Sequence, residues 1–253
     1  MLIKSSLWKK YKNAMSLLSK KAASEMDAWI LAQGGYQAVQ FEDAIAMAYS
    51  ISKKYGEASA SLSAVMYDAI AEASGAPVAS ATVAETATLG EVSKAIYGAS
   101  SFSQNDNYIS GIVGRFVKQA GADTTMQNAV RDGAEWAWIA IGDTCAYCEL
   151  LSANGWQRAS EEVLKGNHAE HIHANCDCEF VIRFDSSTTV QGYKPNKDLY
   201  DHTEGYTIEE KANTLRRQNY ARNKTEINEQ KRIAYAKRTE ELNSSAAEEA
   251  DIN

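Results

Sequence analysis

The sequence predicts a mainly α-helical protein that carries a small α+β module stapled by zinc and a helical arm at its C-terminal end. Only two of the 253 residues are proline, and a proline-poor chain rich in Ala, Ser, Glu and Lys favours helix. All four cysteines and three of the four histidines fall between residues 145 and 178. The net charge of −7 hides a strongly basic segment near the C-terminal end.

Apolar residues at helical spacing predict helices over residues 5–33 and 43–74, followed by two or three more near 82–98, 106–119 and 123–134, at most five in all. The second helix ends where Gly75 is followed by Pro77, the usual order of a terminal glycine and a later proline. Asp123, with Thr124 and Thr125 behind it, predicts the start of the fifth helix. The apolar face of the second helix is rich in small residues, which predicts close packing against another helix.

The residue pattern changes after the fifth helix. "GWQRA" and "CEFVIRF" predict short strands at 155–159 and 178–184, whereas "EWAWIAIGDTCAYC" fits a strand or a helix. From Ile208 to about Ala247 the chain is helical again, with an apolar stripe too thin to be stable without a partner. We therefore predict three parts, which are a helical body (1–135), a Cys/His module with short strands (136–190), and a linker with a basic helical tail (191–253).

The chain lacks a run of about 18 apolar residues that could cross a bilayer. Its first residues, "MLIKSSLWKKYKNAM", are basic but are not followed by the apolar segment of a secretory signal. We therefore expect synthesis in the cytoplasm and no membrane partner.

The basic segment spans residues 211–238. It contains nine basic and two acidic residues, a net charge of +7, so the rest of the chain carries −14. A cationic arm on an acidic body predicts contact of residues 211–238 with DNA or with an acidic protein surface.

All four cysteines lie in residues 145–178, which we call the cysteine window, and their spacing is typical of a metal site. Cys145 and Cys148 form C-x-x-C, and His173, Cys176 and Cys178 follow as H-x-x-C-x-C. Thiolates and imidazole in two such pairs suit tetrahedral Zn²⁺, and a metal would stabilise a module too small for a large core. These five candidates exceed four positions, so either one of His173, Cys176 and Cys178 lies behind the ligands, or four cysteines bind while His173 orients them.

Other uses of the cysteines are less consistent with the sequence. Two disulfides remain an alternative, although the missing secretory signal disfavours an oxidising compartment. A redox C-x-x-C lacks a thioredoxin-like βαβ pattern around it. A zinc deaminase requires H-x-E before P-C-x-x-C, whereas His168 and Glu170 follow the C-x-x-C, and no proline precedes Cys145. A site with four protein ligands leaves no open position for catalysis, so we expect a structural ion and predict no catalytic residues.

The segments "ADTTMQNAVRDGAEWAWIAIGDTCAYCELLSANGWQRAS" and "HIHANCDCEF" resemble the F-like minor head (head morphogenesis) proteins of tailed phages, also called MuF-like. That family pairs D-T-C-x-x-C-x-x-L-x-x-x-G with a downstream H-x-x-C-x-C. The matching positions are Asp143, Thr144, Cys145, Cys148, Leu151, Gly155, His173, Cys176, Asp177 and Cys178. The resemblance covers roughly 45–190 and is strongest over 123–185. One departure is that "GWQRA" replaces a more apolar strand.

The resemblance implies a structural virion protein, present in few copies and added near the portal. The implied partners are the portal and/or major capsid protein, and the implied location is the capsid interior or portal vertex after synthesis in the host cytoplasm. Some relatives are described as capsid maturation proteases, which keeps a protease as an alternative. Ser152 and His168 lack the sequence context of a nucleophile elbow. A nucleic-acid-binding module that uses the basic arm is a further alternative.

Overall fold

Seven helices and five short strands make up the described part of this computed structural model, which comprises residues 2–3, 5–100, 108–140, 144–160, 178–186, 189–190 and 193–251. In chain order they are β1 (Leu2–Ile3), α1 (Ser5–Ala32), α2 (Phe41–Ser74), α3 (Leu89–Ser100), α4 (Tyr108–Asp132), β2 (Glu135–Ile139), α5 (Ala146–Ala153), β3 (Gln157–Arg158), β4 (Glu179–Arg183), β5 (Thr189–Val190), α6 (Lys197–His202) and α7 (Ile208–Asp251). The predicted mainly α-helical class is confirmed.

Helices α1, α2 and α4 meet along a seam of small residues. A Cβ atom added to Gly121 of α4 would lie 2.5 Å from Met15 Cε and 2.7 Å from both Ser59 Oγ and Ser63 Oγ. Two turns earlier in α4, Ser19 Oγ donates a hydrogen bond to the Gly114 carbonyl at 3.0 Å. The seam therefore permits a close approach of three helix backbones, as the small-residue face of α2 predicted.

Three hydroxyl groups buried in this seam, those of Tyr11, Ser59 and Ser63, have partners. The hydroxyl groups of Tyr11 and Ser63 lie 3.0 Å apart, and Ser59 Oγ donates to Met15 Sδ at 3.5 Å. Burial raises the pKa of the Tyr11 phenol, and the nearby Glu179 carboxylate raises it further. A buried hydroxyl without a partner would cost about 1–3 kcal/mol, so these contacts select one helix arrangement.

The prediction of separate helices over 106–119 and 123–134 is wrong, because α4 is continuous. Thr124 Oγ1 donates to the Ala120 carbonyl at 2.8 Å, and Thr125 Oγ1 donates to the Gly121 carbonyl at 3.1 Å. Hydroxyls bonded back to the preceding turn can be accommodated inside a helix instead of starting one.

The helix predicted over 82–98 begins later, at Leu89. Residues 76–88 belong to no helix or strand, because side chains of α2 and α4 bind their backbone amides. Asp68 Oδ1 accepts from the Ala81 amide at 2.7 Å, and Asn128 Oδ1 accepts from the Thr82 amide at 2.9 Å. Reciprocal bonds between Thr88 and Glu91 then cap α3.

The sheet resolves the ambiguous segment "EWAWI" as a strand. Strand order is β3-β2-β4, antiparallel throughout, with Trp136 opposite Ile182 and Trp138 opposite Phe180. Both tryptophans are at most 1% exposed, and the Trp138 and Phe180 rings meet edge to face at 4.4 Å. Consecutive burial of Trp136, Ala137 and Trp138 explains why no alternation is visible in the sequence. Separately, β1 pairs with β5 in parallel.

One buried cluster joins the helices to the sheet. It includes Trp8 of α1, Met66 of α2, Trp136 of β2, Cys148 of α5 and Leu215 of α7. The three-part division of the chain stays a prediction, but these parts share apolar contacts.

Helix α7 leaves the body soon after it begins. Ala212 and Leu215 are buried at 2% and 1% exposure, and α7 packs against α5 here. Between Arg216 and Tyr235 the described side chains are mostly exposed. None of the described helices has both the length and the apolar character needed to span a bilayer.

We expect Gly121→Ala to destabilise the protein by about 1–3 kcal/mol, because the added methyl group must displace Met15 or the seam hydroxyls. Gly98→Ala is the matched control, since its Cβ would meet nothing within 4 Å in α3. That change should stabilise by up to about 1 kcal/mol. Urea unfolding followed by circular dichroism measures both, and equal stability of the two variants would contradict the close seam.

Candidate functional site

The C-x-x-C pair lies at the start of α5. Cys145 is the N-cap residue, with φ −69° and ψ 155°, and its carbonyl accepts a hydrogen bond from the Glu149 amide at 2.9 Å. Cys148 follows within the first turn, so helical spacing places both residues on neighbouring positions of one helix end. Cys145 is exposed, whereas Cys148 is fully buried.

The sheet brings the third described cysteine to the same region. Cys178 directly precedes β4, whose first residue, Glu179, pairs with Ile139 at the end of β2. The chain that leaves β2 reaches Cys145 a few residues later. Cys178 is 5% exposed and belongs to the same buried cluster as Cys148. Residues far apart in sequence are therefore brought together by the β2–β4 register.

The other two predicted ligands, His173 and Cys176, lie outside the described residues, as do His168 and His171. Within the described ranges, no group of three or more His, Cys, Asp or Glu side chains is arranged to hold a metal ion. Cys145, Cys148 and Cys178 supply thiol donors of the kind zinc prefers, and they are brought to one part of the fold. The donor set fits zinc, and the zinc site stays a prediction.

A turn after α5 explains the glycine of the motif. Gly155 has φ +81°, and a Cβ atom there would lie 3.3 Å from Pro195 Cβ. Next to it, the Trp156 ring meets Tyr193 edge to face at 5.8 Å, and the Tyr193 hydroxyl donates to the Ser152 carbonyl at 3.0 Å. Burial raises the pKa of Tyr193 to about 12. The segment before α6 is thus held over the end of α5.

Arg183 fixes the other side of this turn. Its Nε donates to Glu135 Oε2 at 2.6 Å across β2 and β4, and its guanidinium lies 4.5 Å from the centre of the Trp156 ring. Sequence reasoning missed Glu135 and Arg183, since only the strand register places the two residues opposite one another. It also missed the buried Glu179, which follows Cys178.

A cavity of about 360 Å³ lies beside the C-x-x-C pair. Its lining includes Thr144, Glu149, Ser152, Lys194 and Asn196. Within the described residues, the Ser152 hydroxyl has no hydrogen bond to a histidine, lysine or carboxylate. The residue named with it in the protease alternative, His168, lies outside the described residues.

A second cavity, of about 430 Å³, lies between α3 and α4 and is lined by Glu91, Lys94, Arg115 and Gln119 among others. Asp123 lies one helical turn beyond Gln119. Burial raises the pKa of Asp123 from 3.8 to about 7, against a hydrogen bond from Gln119 that lowers it. The folded protein therefore holds this proton more tightly than the unfolded chain does.

The chain belongs to the VG15 protein family, whose model matches residues 2–204. This membership indicates a phage protein. The match spans the helical body, the sheet and the cysteine window, and it ends before α7. No curated protein and no solved structure matches the chain.

We expect Asp123→Asn to stabilise the protein more at high pH than at low pH. Because burial raises the folded-state pKa, the stability linked to this proton is complete below about pH 4 and is lost as pH rises through about 7. Between about pH 4 and pH 8, the stability of the Asn variant relative to the parent should rise by about 1–3 kcal/mol.

Urea unfolding at several pH values measures this difference. Glu57→Gln, which removes an exposed carboxylate from α2, is the control. A pH-independent difference for Asp123→Asn would mean that the carboxyl is well solvated.

Proposed function

We propose that this phage protein is a structural minor component of a tailed-phage head, of the MuF-like head morphogenesis type, located in the capsid interior or at the portal vertex. The observation that carries the proposal is the match to the VG15 family over residues 2–204, which includes the whole D-T-C-x-x-C and H-x-x-C-x-C pattern. A phage origin and this motif together favour a head protein near the portal.

The motif residues that the structure describes lie at a helix end, in the core and in a tight turn. Cys145 is the N-cap residue of α5, Cys148 and Leu151 are buried in the shared core, and Gly155 has a left-handed backbone conformation against Pro195. Residues in such positions set the backbone path of the module. This supports a structural role for the motif in preference to a protease.

The proposed zinc ion would hold the start of α5 to the start of β4. Cys145, Cys148 and Cys178 would supply thiolates, with His173 or Cys176 completing four ligands. Such an ion contributes folding free energy, because the unfolded chain does not preform the site.

A protein partner is supported by the solvent side of α1. Leu17 and Leu31 lie on that side at 54% and 76% exposure. Because they are 14 residues apart, which is about four helical turns, the two side chains fall on the same face of α1. Apolar side chains repeated on an exposed face fit contact with another protein, for which the portal and the major capsid protein are the candidates.

The purified protein should contain about one Zn²⁺ per chain. Cys145→Ser should lose most of it, because the thiolate is removed from an exposed position where the substitution leaves the core intact. Ser152→Ala, on the same helix, should retain it. Elemental analysis of protein prepared without chelator gives the ratio.

A ratio near zero, together with two disulfides found by mass spectrometry of the intact chain, would overturn the zinc proposal. The head-protein proposal does not depend on that result and is tested by incorporation into heads.

When the chain is expressed with its phage's portal and major capsid proteins, it should co-purify with the assembled heads in few copies. Leu17→Ser with Leu31→Ser should lower its incorporation several-fold, because the proposed apolar contact is weakened. Val83→Ser, which is also exposed but lies outside α1, is the control. Quantitative mass spectrometry of purified heads is the measurement, and absence of the unmodified chain from heads would overturn the proposal.

A further inference from the structure

Helix α7 presents a long surface that the described part of the chain does not cover. After Leu215 the helix continues to Asp251, which is about 50 Å at 1.5 Å per residue. Its described side chains between Arg216 and Tyr235 are mostly exposed. An exposed helix of this length with so few apolar contacts calls for an external partner.

Three of the cations on α7 form a row on one side of the helix. Arg217, Lys224 and Lys231 recur every seventh residue, so helical geometry aligns them on one side, about 10 Å apart. We call these three residues the cationic face. The acids of this stretch, Glu226 and Glu229, fall on the other side of the helix.

The side that carries the acids is partly compensated within the helix. Arg232, at the boundary, pairs with Glu229 at 2.8 Å, and Gln230 donates to Glu226 at 3.5 Å. Arg222, on the acidic side, donates to Asn219. The cationic face has no acid along its length, and Tyr220 and Tyr235 stand on it at 45% and 76% exposure.

The apolar pattern argues against a helical protein partner. A coiled-coil contact needs apolar residues about every 3.5 positions on one face. Beyond Leu215, the exposed Ile233 lies on the side away from the cationic face. Ile227 falls near the edge of that face, but the residues three and four positions to either side of it are Asn223, Lys224, Gln230 and Lys231, so no apolar seam accompanies the three cations. Cations interleaved with tyrosines, without an apolar seam, suit a phosphodiester backbone instead.

We infer that the cationic face of α7 binds the phosphate backbone of DNA, while the acidic body stays away from it. The inference rests on the proposed function, since a head protein is exposed to packaged DNA. The charge of −14 outside residues 211–238 repels a polyanion, so contact is confined to the arm. Backbone contact of this kind is independent of base sequence and weakens steeply with salt.

The test is titration of the full-length protein with a fluorescent duplex DNA of mixed sequence at several salt concentrations. Each phosphate contact contributes about 0.9 to the slope of log affinity against log salt. Arg217→Gln, Lys224→Gln and Lys231→Gln should each lower that slope by about 1 and weaken binding several-fold at low salt. Arg222→Gln removes the same charge from the opposite side and should have less than half the effect.

Four outcomes of these measurements would contradict the inference. Equal effects of Arg217→Gln and Arg222→Gln would overturn the face assignment, since only net charge would then matter. Polyglutamate that binds as tightly as DNA would point to an acidic protein surface and overturn the inference, as would the absence of salt-dependent binding. Single-stranded DNA bound several-fold more tightly than duplex would also overturn it, because base stacking on the tyrosines would then dominate.

The same variants separate this inference from the proposed function. If DNA binding fails while the chain still enters heads, only the inference is wrong. If Lys224→Gln binds DNA weakly as expected but the unmodified chain never enters heads, the proposed function is wrong and the DNA contact stands.

Discussion

The contact at Gly121 leaves room for a hydrogen atom and little else, and the positions of the other elements follow from it. Met15 of α1 and the Ser59 and Ser63 hydroxyls of α2 all lie where a β-carbon would be. This seam fixes α4 against two helices along most of its length. At its end, Gly133 adopts φ +66° and the chain turns directly into β2. The sheet is therefore placed by a helix whose own position depends on small residues.

The position of β2 in turn determines the position of the cysteine window, because the hydrogen-bonded register of β2 with β4 places Cys178. Pairing of Ile139 with Glu179 sets Cys178 beside the end of β2. The chain that leaves this end of β2 reaches the C-x-x-C pair, Cys145 and Cys148, a few residues later. The Glu135–Arg183 pair and the Arg183–Trp156 contact fix the opposite end of the ladder. A metal at this site would add to a framework that apolar packing already supports, and it would order the start of β4 against α5.

Charge divides the molecule differently from packing. The body buries its apolar surface and is acidic overall, whereas α7 has a short buried beginning and a long polar continuation. Ala212 and Leu215 attach the arm to α5, and the residues beyond them add little to folding. Because these residues do not pack in the core, their charges can vary without loss of folding, which is consistent with the row of three cations on one side of α7.

The sequence by itself determined the main helices, the stop at Gly75, the two later strands and the grouping of the thiols, because each depends on local spacing or local turn chemistry. Tertiary structure decided the rest. Asp123 and Thr124 predict the start of a helix. In the structure the Thr124 hydroxyl donates to a carbonyl of the preceding turn, and α4 continues through this point. The sequence predicts helix from residue 82, but Asp68 and Asn128 bind the backbone amides there and the helix begins only at Leu89. In such places two local conformations differ by little free energy, so partners distant in the sequence select between them.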